Sequence, residues 1–283
     1  MRIGADLAFG KLIPMDSTRL TGARIAVLFL QPQCNMTCRF CITQDGFSAM
    51  NPEEVFAMLD GLARSGIGNV IFGGGEPLAW PHDLLGPARY AKRLGMTVQV
   101  GTNGIALRPR IMQSPVLDRF ILPLESAHAQ VHDRLRHARG GHHALILDRL
   151  EALADLGREV TLSTVITRVN RAGLMDLAEW IAGYRARGGR VHAWHLYRFL
   201  ARGRGGAVSG KELGTTREEY RRDCETVKSG HPDLPILKRP DMTRSRTVGF
   251  YWMENGQIRW SGPHGAPAME TPAMRKDAQR AVA

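Results

Sequence analysis

The sequence predicts an α/β fold: a partial, open (β/α)6 barrel of TIM-like form with a C-terminal extension. Three observations carry that expectation. Six apolar, strand-like runs recur between Ile25 and Tyr197. Helix-like segments with recognisable start and stop signals lie between them. The links are short, and a strict β-then-α order implies parallel strands with crossover helices. Six units fall short of the eight that close a barrel, so the sheet is expected to stay open.

Each element has its own warrant. Ile25–Leu30 is an unbroken apolar run and reads as a buried strand. Asn51-Pro52-Glu53-Glu54 is a helix start: Asn caps, Pro suits the first turn and the acids face the helix dipole. That helix is expected to stop at Gly66. Strand Asn69–Phe72, helix Pro81–Leu94 and strand Thr97–Gly101 follow, then strand Asp118–Leu122. Helices are expected over 126–137 and 142–156, a strand over Val160–Ile166, a helix over Leu174–Arg187 and a strand over Arg190–Tyr197. The rhythm then breaks. Arg202–Gly206 reads as a loop, Thr216–Lys228 as a capped helix and 231–247 as irregular chain. Gly249–Met253 and Gln257–Trp260 flank Asn255-Gly256, a strong hairpin turn. The implied organisation is an N-terminal segment 1–22, a barrel 23–200, an extension 201–262 that shapes the barrel, and a loose tail 263–283.

Composition narrows the class. The 283 residues are 43% hydrophobic, enough for a sizeable core and unlike a disordered chain. No apolar run approaches the roughly 18–20 residues of a membrane span. A cytoplasmic protein with no membrane partner is therefore expected. Lys and Arg number 38 against 27 Asp and Glu. The excess charges are scattered, with no basic block interleaved with aromatics, so a basic surface is the plain reading. An anionic substrate or a nucleic acid are the alternatives.

The cysteines carry the chemistry. Three of the four, Cys34, Cys38 and Cys41, fall within eight residues directly after the first strand. In a chain without a secretion signal such crowding reads as metal ligation rather than disulfides. A closed zinc site would need a fourth ligand, Cys224 or a histidine. Three thiolates suit an iron–sulfur cluster that keeps one iron open.

The segment Cys34-Asn-Met-Thr-Cys38-Arg-Phe40-Cys41 resembles the Cys-x3-Cys-x-aromatic-Cys signature of the radical S-adenosylmethionine (SAM) superfamily, with Phe40 as the aromatic. The resemblance covers roughly residues 25–200. It implies a [4Fe–4S] cluster on Cys34, Cys38 and Cys41, with SAM chelating the open iron. It also implies reductive cleavage of SAM to a 5′-deoxyadenosyl radical that abstracts a substrate hydrogen, with electrons from a flavodoxin- or ferredoxin-type donor. Gly73-Gly74-Gly75-Glu76-Pro77 after the second strand is similar to the family's Gly-Gly-Glu-Pro segment and implies a seat for the methionyl ammonium. Thr102 and Asn103 match a Thr-Asn-Gly at the third strand end. Glu125, Ser126 and Arg136 echo a fourth-strand pattern, from which Pro123 and Glu125 depart. Ser163 and Thr164 stand where family polar groups meet the ribose or the methionyl carboxylate.

A weaker resemblance, over Thr164–Asn170 and Trp194–Phe199, points to molybdenum-cofactor cyclisation enzymes and to viperin-like proteins. The lack of further clustered cysteines argues against auxiliary clusters and for a small or nucleotide-like substrate. Two other classes stay open: an activase that installs a glycyl radical on a partner protein, and a catalytically silent iron–sulfur module. Cys224 is a candidate hydrogen-atom donor, with a buried lone thiol as the alternative. His128 and His132, at i, i+4 spacing, read as solvated rather than metal-binding. Tyr197, Arg198, Arg202 and Arg204 follow the sixth strand and are candidates to grip an anionic group.

Overall fold

The computed structural model describes residues 25–138 and 140–262. The expected N-terminal segment 1–22 and tail 263–283 lie outside the described residues. Strand β1 (Ile25–Phe29) leads to helix α1 (Pro52–Arg64), then β2 (Asn69–Gly73), α2 (Leu85–Arg93) and β3 (Thr97–Gly101). A single turn α3 (Pro109–Met112) precedes β4 (Arg119–Pro123), followed by α4 (Ala129–Arg136) and α5 (His142–Asp155). Then come β5 (Glu159–Ile166), α6 (Leu174–Ala186) and β6 (Arg190–Arg198). Short turns α7 (Gly203–Gly206) and α8 (Gly210–Leu213) lead to α9 (Arg217–Gly230), β7 (Ile236–Arg239), β8 (Val248–Glu254) and β9 (Gln257–Ser261).

Among the described residues, nine strands form one sheet in the order β7-β6-β5-β4-β3-β2-β1-β8-β9. Neighbours from β7 to β8 are parallel, and only β9 runs antiparallel, on β8. The edges β7 and β9 do not meet, so the barrel is open.

Period-two alternation separates the two faces. On β1, Ala26 and Leu28 are fully buried beneath the helices, while Ile25, Val27 and Phe29 are half-buried on the opposite, inner face. The helix-covered layer is one contiguous core running from Ala26 through Phe72, Leu162 and Trp194 to Val227. Near the amino ends of the strands the inner face carries a polar belt. There Gln99 donates to Asn69, and Arg119 bonds Gln99 and Glu159.

Local signals act as expected at several ends. Asn51 accepts from the Glu54 amide and Glu54 accepts from the Asn51 amide, a reciprocal cap worth about 1 kcal/mol. Thr216 and Glu219 repeat the arrangement at α9. Asn255 and Gly256 both take positive φ, 51° and 71°, as the tight β8–β9 turn demands. Two expectations need correction. The stretch 231–247 is not wholly irregular, because Ile236–Arg239 pairs with β6. Arg202–Gly206 is not a plain loop, because Gly203–Gly206 forms a helical turn. Among the described residues no helix is long and apolar enough to cross a membrane.

Candidate active site

The cysteine loop leaves the carboxyl end of β1 and is held from two sides. From one side, the Arg39 amide donates to the Leu135 carbonyl of α4, and the Arg39 side chain pairs with Glu212 of α8. From the other, α7 lies on the loop backbone to backbone. The amides of Gly205 and Gly206 both donate to the Cys41 carbonyl at 3.1 Å, and the Arg204 amide donates to Thr43 at 3.0 Å. A Cβ on Gly205 would stand 2.2 Å from the Cys38 carbonyl, and one on Gly203 2.2 Å from Ile42. This approach is open only to glycine. The Arg204 guanidinium donates to the Pro32 carbonyl at 2.7 Å and to Asp45 at 2.9 Å, and it reaches the Cys41 sulfur.

The three thiols are free and half-buried. Burial pushes the Cys34 thiol up, against a hydrogen bond from the Met36 backbone. Burial also pushes Cys38 up, against the Arg136 charge. Ionised Cys41 would raise both of these thiols further, and ionised Cys34 would raise Cys38, so the three sulfurs are electrostatic neighbours on one loop. Neighbouring thiols that would repel one another once ionised, beside two guanidinium groups, fit a soft, positively charged metal cluster that would take up that negative charge.

The Gly73–Pro77 turn follows β2 and lies against the chain entering the cysteine loop. Gly75 donates to Gln31 at 2.7 Å and Glu76 to Gln33 at 2.9 Å, both from the backbone. Gly74 has φ 118°, and a Cβ on Gly75 would sit 1.9 Å from the Gln33 carbonyl. These glycines therefore admit the backbone of residues 31–33. The Glu76 carboxylate is 1% exposed and accepts from Leu78, from the Thr102 hydroxyl at 2.6 Å and from the Asn103 amide at 2.8 Å. A carboxylate has about four acceptor positions, so one is left for a further donor. Burial pushes its pKa up, against those hydrogen bonds. Asn103 turns its side chain towards the cysteines, donating to Asn35 at 2.6 Å and lying 3.8 Å from the Cys34 sulfur. Pro77 is buried at the start of a 3-10 turn that Glu76 caps.

The ends of β4 and β5 meet at Glu125. Its carboxylate accepts from the Val165 amide at 2.8 Å and from Arg136 at 3.4 Å. Arg136 also stacks over the Phe40 ring, 5.6 Å from its centre, so Glu125, Arg136 and Phe40 form one chain of contacts, and the Arg136 charge reaches Cys38. Behind it runs a relay of neutral histidines. The Glu125 amide donates to His132 Nδ1, His132 Nε2 faces His142 Nδ1 at 2.8 Å, and His142 Nε2 faces the Asn103 carbonyl at 2.8 Å. Since the carbonyl can only accept, each ring carries its proton on Nε2. Burial holds both rings neutral, at about 2 for His132 and about 4 for His142. No local sequence signal marks this buried relay, which links the ends of β3 and β4. Adjacent Asp133 belongs to packing too, accepting from the Gly141 and His143 amides that open α5.

The remaining candidates divide. Ser126 is buried and caps the turn before α4 by accepting from the His128 amide. Ser163 stands on the inner face beside Pro123. Thr164 points the other way. It is fully buried, donates to the Leu124 carbonyl at 2.6 Å and accepts from Trp194 at 2.9 Å. Strand alternation separates these two neighbours, so only Ser163 shares the inner face. Cys224 lies on α9 in the helix-covered core with no exposed surface, against Tyr220, and is not brought to the strand ends. His132 is buried rather than solvated, whereas His128 is exposed and pairs with Asp176. Arg204 turns to the cysteine loop, Arg198 and Arg202 line a surface cavity with Arg217 and Arg244, and Tyr197 faces inward.

The model of the radical SAM superfamily matches residues 28–181. The chain is 25% identical over 192 residues to an AdoMet-dependent heme synthase of Methanosarcina barkeri, covering 64% of this chain and 52% of that one. It is 30% identical over 166 residues to the PqqA peptide cyclase of Rhodopseudomonas palustris, covering 56% and 44%. The chain thus spans about half the length of these curated relatives. Streptococcus suis SuiB bound to S-adenosylmethionine superposes with a TM-score of 0.68 at 14% identity, over 83% of this chain and 59% of SuiB. That likeness shows the fold.

Proposed function

This chain belongs to the radical SAM superfamily, and on that premise we propose that it is an enzyme that uses Cys34, Cys38 and Cys41 to hold the family's [4Fe–4S] cluster. When bound, the cluster and SAM supply reductive cleavage of the sulfonium to a 5′-deoxyadenosyl radical, which removes a hydrogen atom from the substrate. The chain's own groups hold and orient. Arg136 and Arg204 favour the thiolate forms that ligation requires. Glu76 offers its free acceptor position to a cationic amino group. Asn103, Glu125 and Ser126 stand just past the carboxyl ends of β3 and β4, where barrel sites form, and Ser163 lies on β5 beside the last residue of β4. An external one-electron donor of flavodoxin or ferredoxin type is required.

The observation that carries this reading is the convergence of three free thiols in a loop locked by the Gly73–Gly75 turn and by α7. The substrate we favour is a small or nucleotide-like molecule. Polar groups, Asn103, Glu125 and Ser163 among them, stand on the inner face near the strand ends. A peptide substrate is the second reading, favoured by the similarity to a PqqA peptide cyclase.

The test is anaerobic reconstitution, chemical reduction in the presence of SAM, and measurement of 5′-deoxyadenosine beside Cys38→Ala. Wild type is expected to form it and the variant to form none above background. A wild type that assembles a cluster yet never cleaves SAM would favour a silent iron–sulfur module.

A further inference from the structure

The inner face near the ends of β6 and β7 holds three polar side chains that take no part in the cysteine loop. His195 and Tyr197 are two apart on β6, and Tyr197 is in register with Arg239 on β7. On the same face of β5, Ser163 pairs with His195 and Val165 with Tyr197. The opposite face, with Thr164, Trp194 and Leu196, is sealed under the helices. The trio therefore faces the interior of the open barrel.

Their hydrogen bonds have a fixed direction. Arg239 Nη2 lies 3.4 Å from His195 Nε2, and a guanidinium can only donate, so Nε2 is the acceptor. Burial, aided by the Arg239 charge, holds the His195 pKa at about 3, so the ring is neutral. Its one proton then sits on Nδ1 and is donated to the Tyr197 oxygen at 3.1 Å. The Tyr197 hydroxyl hydrogen is left without an acceptor among the described residues. Arg239 Nε is likewise buried without a partner. Among the described residues no carboxylate pairs with Arg239. Two donors and one unpaired positive charge thus meet on one inward-facing patch, and no acceptor answers them. Buried donors left so are costly unless a ligand completes them.

We propose that Tyr197 and Arg239, oriented by His195, seat an oxyanion of the substrate, a carboxylate or a phosphate. The hydroxyl and the guanidinium Nε–H each donate to one oxygen, and the Arg239 charge balances the anion. His195 is a positioning residue, since its lone pair and its proton are both taken by its neighbours. The inference rests on reading the barrel interior as the substrate space.

The test is an anion titration of the full chain, reconstituted with its cluster in the oxidised state and labelled with 3-fluorotyrosine. Fluorine NMR is recorded at constant ionic strength with acetate, inorganic phosphate and neutral acetamide as separate probes. The chain has five tyrosines, and the Tyr197 resonance is the one lost in Tyr197→Phe. A saturable shift of that resonance with acetate or phosphate is expected, and the tighter of the two identifies the group. Arg239→Gln is expected to weaken binding about 10-fold or more, as loss of a charged hydrogen bond does. The other tyrosine resonances should stay in place, which reports an intact fold. No saturable shift, an equal shift with acetamide, or unchanged affinity in Arg239→Gln would overturn the proposal. Because this readout involves no SAM cleavage, its failure is distinct from failure of the proposed enzymatic activity.

Discussion

Burial raises the Glu125 carboxyl to about 7, and Arg136 at 3.4 Å offsets only part of that rise. Between about 4.5 and 7 the unfolded chain has lost this proton while the folded chain keeps it. The folded state binds more protons there, so stability falls as pH rises through the window and is greatest below it. Glu125→Gln should flatten that decline, measured as urea midpoints at successive pH values. An unchanged slope would show that Glu125 is not the group responsible. Cys224 makes the opposite kind of statement. Burial pushes its thiol up to about 11, and it packs behind the sheet, away from any radical formed at the strand ends. Cys224→Ala should cost roughly 1–2 kcal/mol of stability through the cavity it leaves. It should still form 5′-deoxyadenosine at close to the wild-type rate. A loss of turnover with stability intact would restore the hydrogen-donor reading.

The elements that matter most for the site are turns, not the regular strands and helices. Strands β1 to β6 and the α9 cap could be read from apolar runs and capping residues, because those signals are local. The role of α7 could not. Arg202–Gly206 looks like any glycine-rich loop, and only the fold shows Gly205 pressed against the Cys38 carbonyl. Gly205→Ala forces a contact of 2.2 Å to give way, at a cost on the order of 1–3 kcal/mol of overpacking. The expected result is faster release of iron to a chelator from the reconstituted variant. Gly86→Ala, whose added methyl meets open space, should release iron at the wild-type rate. Equal rates in both variants would mean that α7 does not hold the cysteine loop. The His132–His142 relay was also hidden, since sequence spacing gives the side of a helix but not what packs on it. Ser163 and Thr164, by contrast, could have been told apart by strand alternation alone.

Across the whole molecule, the sheet is longer than the sequence rhythm announced. The pairing of β8 with β1 joins Ile25 to Val248, and the pairing of β7 with β6 brings Arg239 beside Tyr197. Neither leaves a trace in local pattern, because long-range partners are chosen by packing rather than by neighbours in sequence. The motifs, however, were legible: Cys34–Cys41, Gly73–Pro77 and Thr102–Asn103 follow the carboxyl ends of β1, β2 and β3 and lie against one another. Their gathering supports the proposal that the three cysteines hold a cluster with one iron free for SAM. Electron paramagnetic resonance of the reduced, reconstituted chain tests it most directly, recorded with and without SAM. The expected result is a [4Fe–4S] signal whose g-values shift when SAM is added, and no such cluster in Cys34→Ala, Cys38→Ala or Cys41→Ala. A cluster that survives loss of any one of these cysteines, or a signal that SAM leaves unchanged, would contradict it.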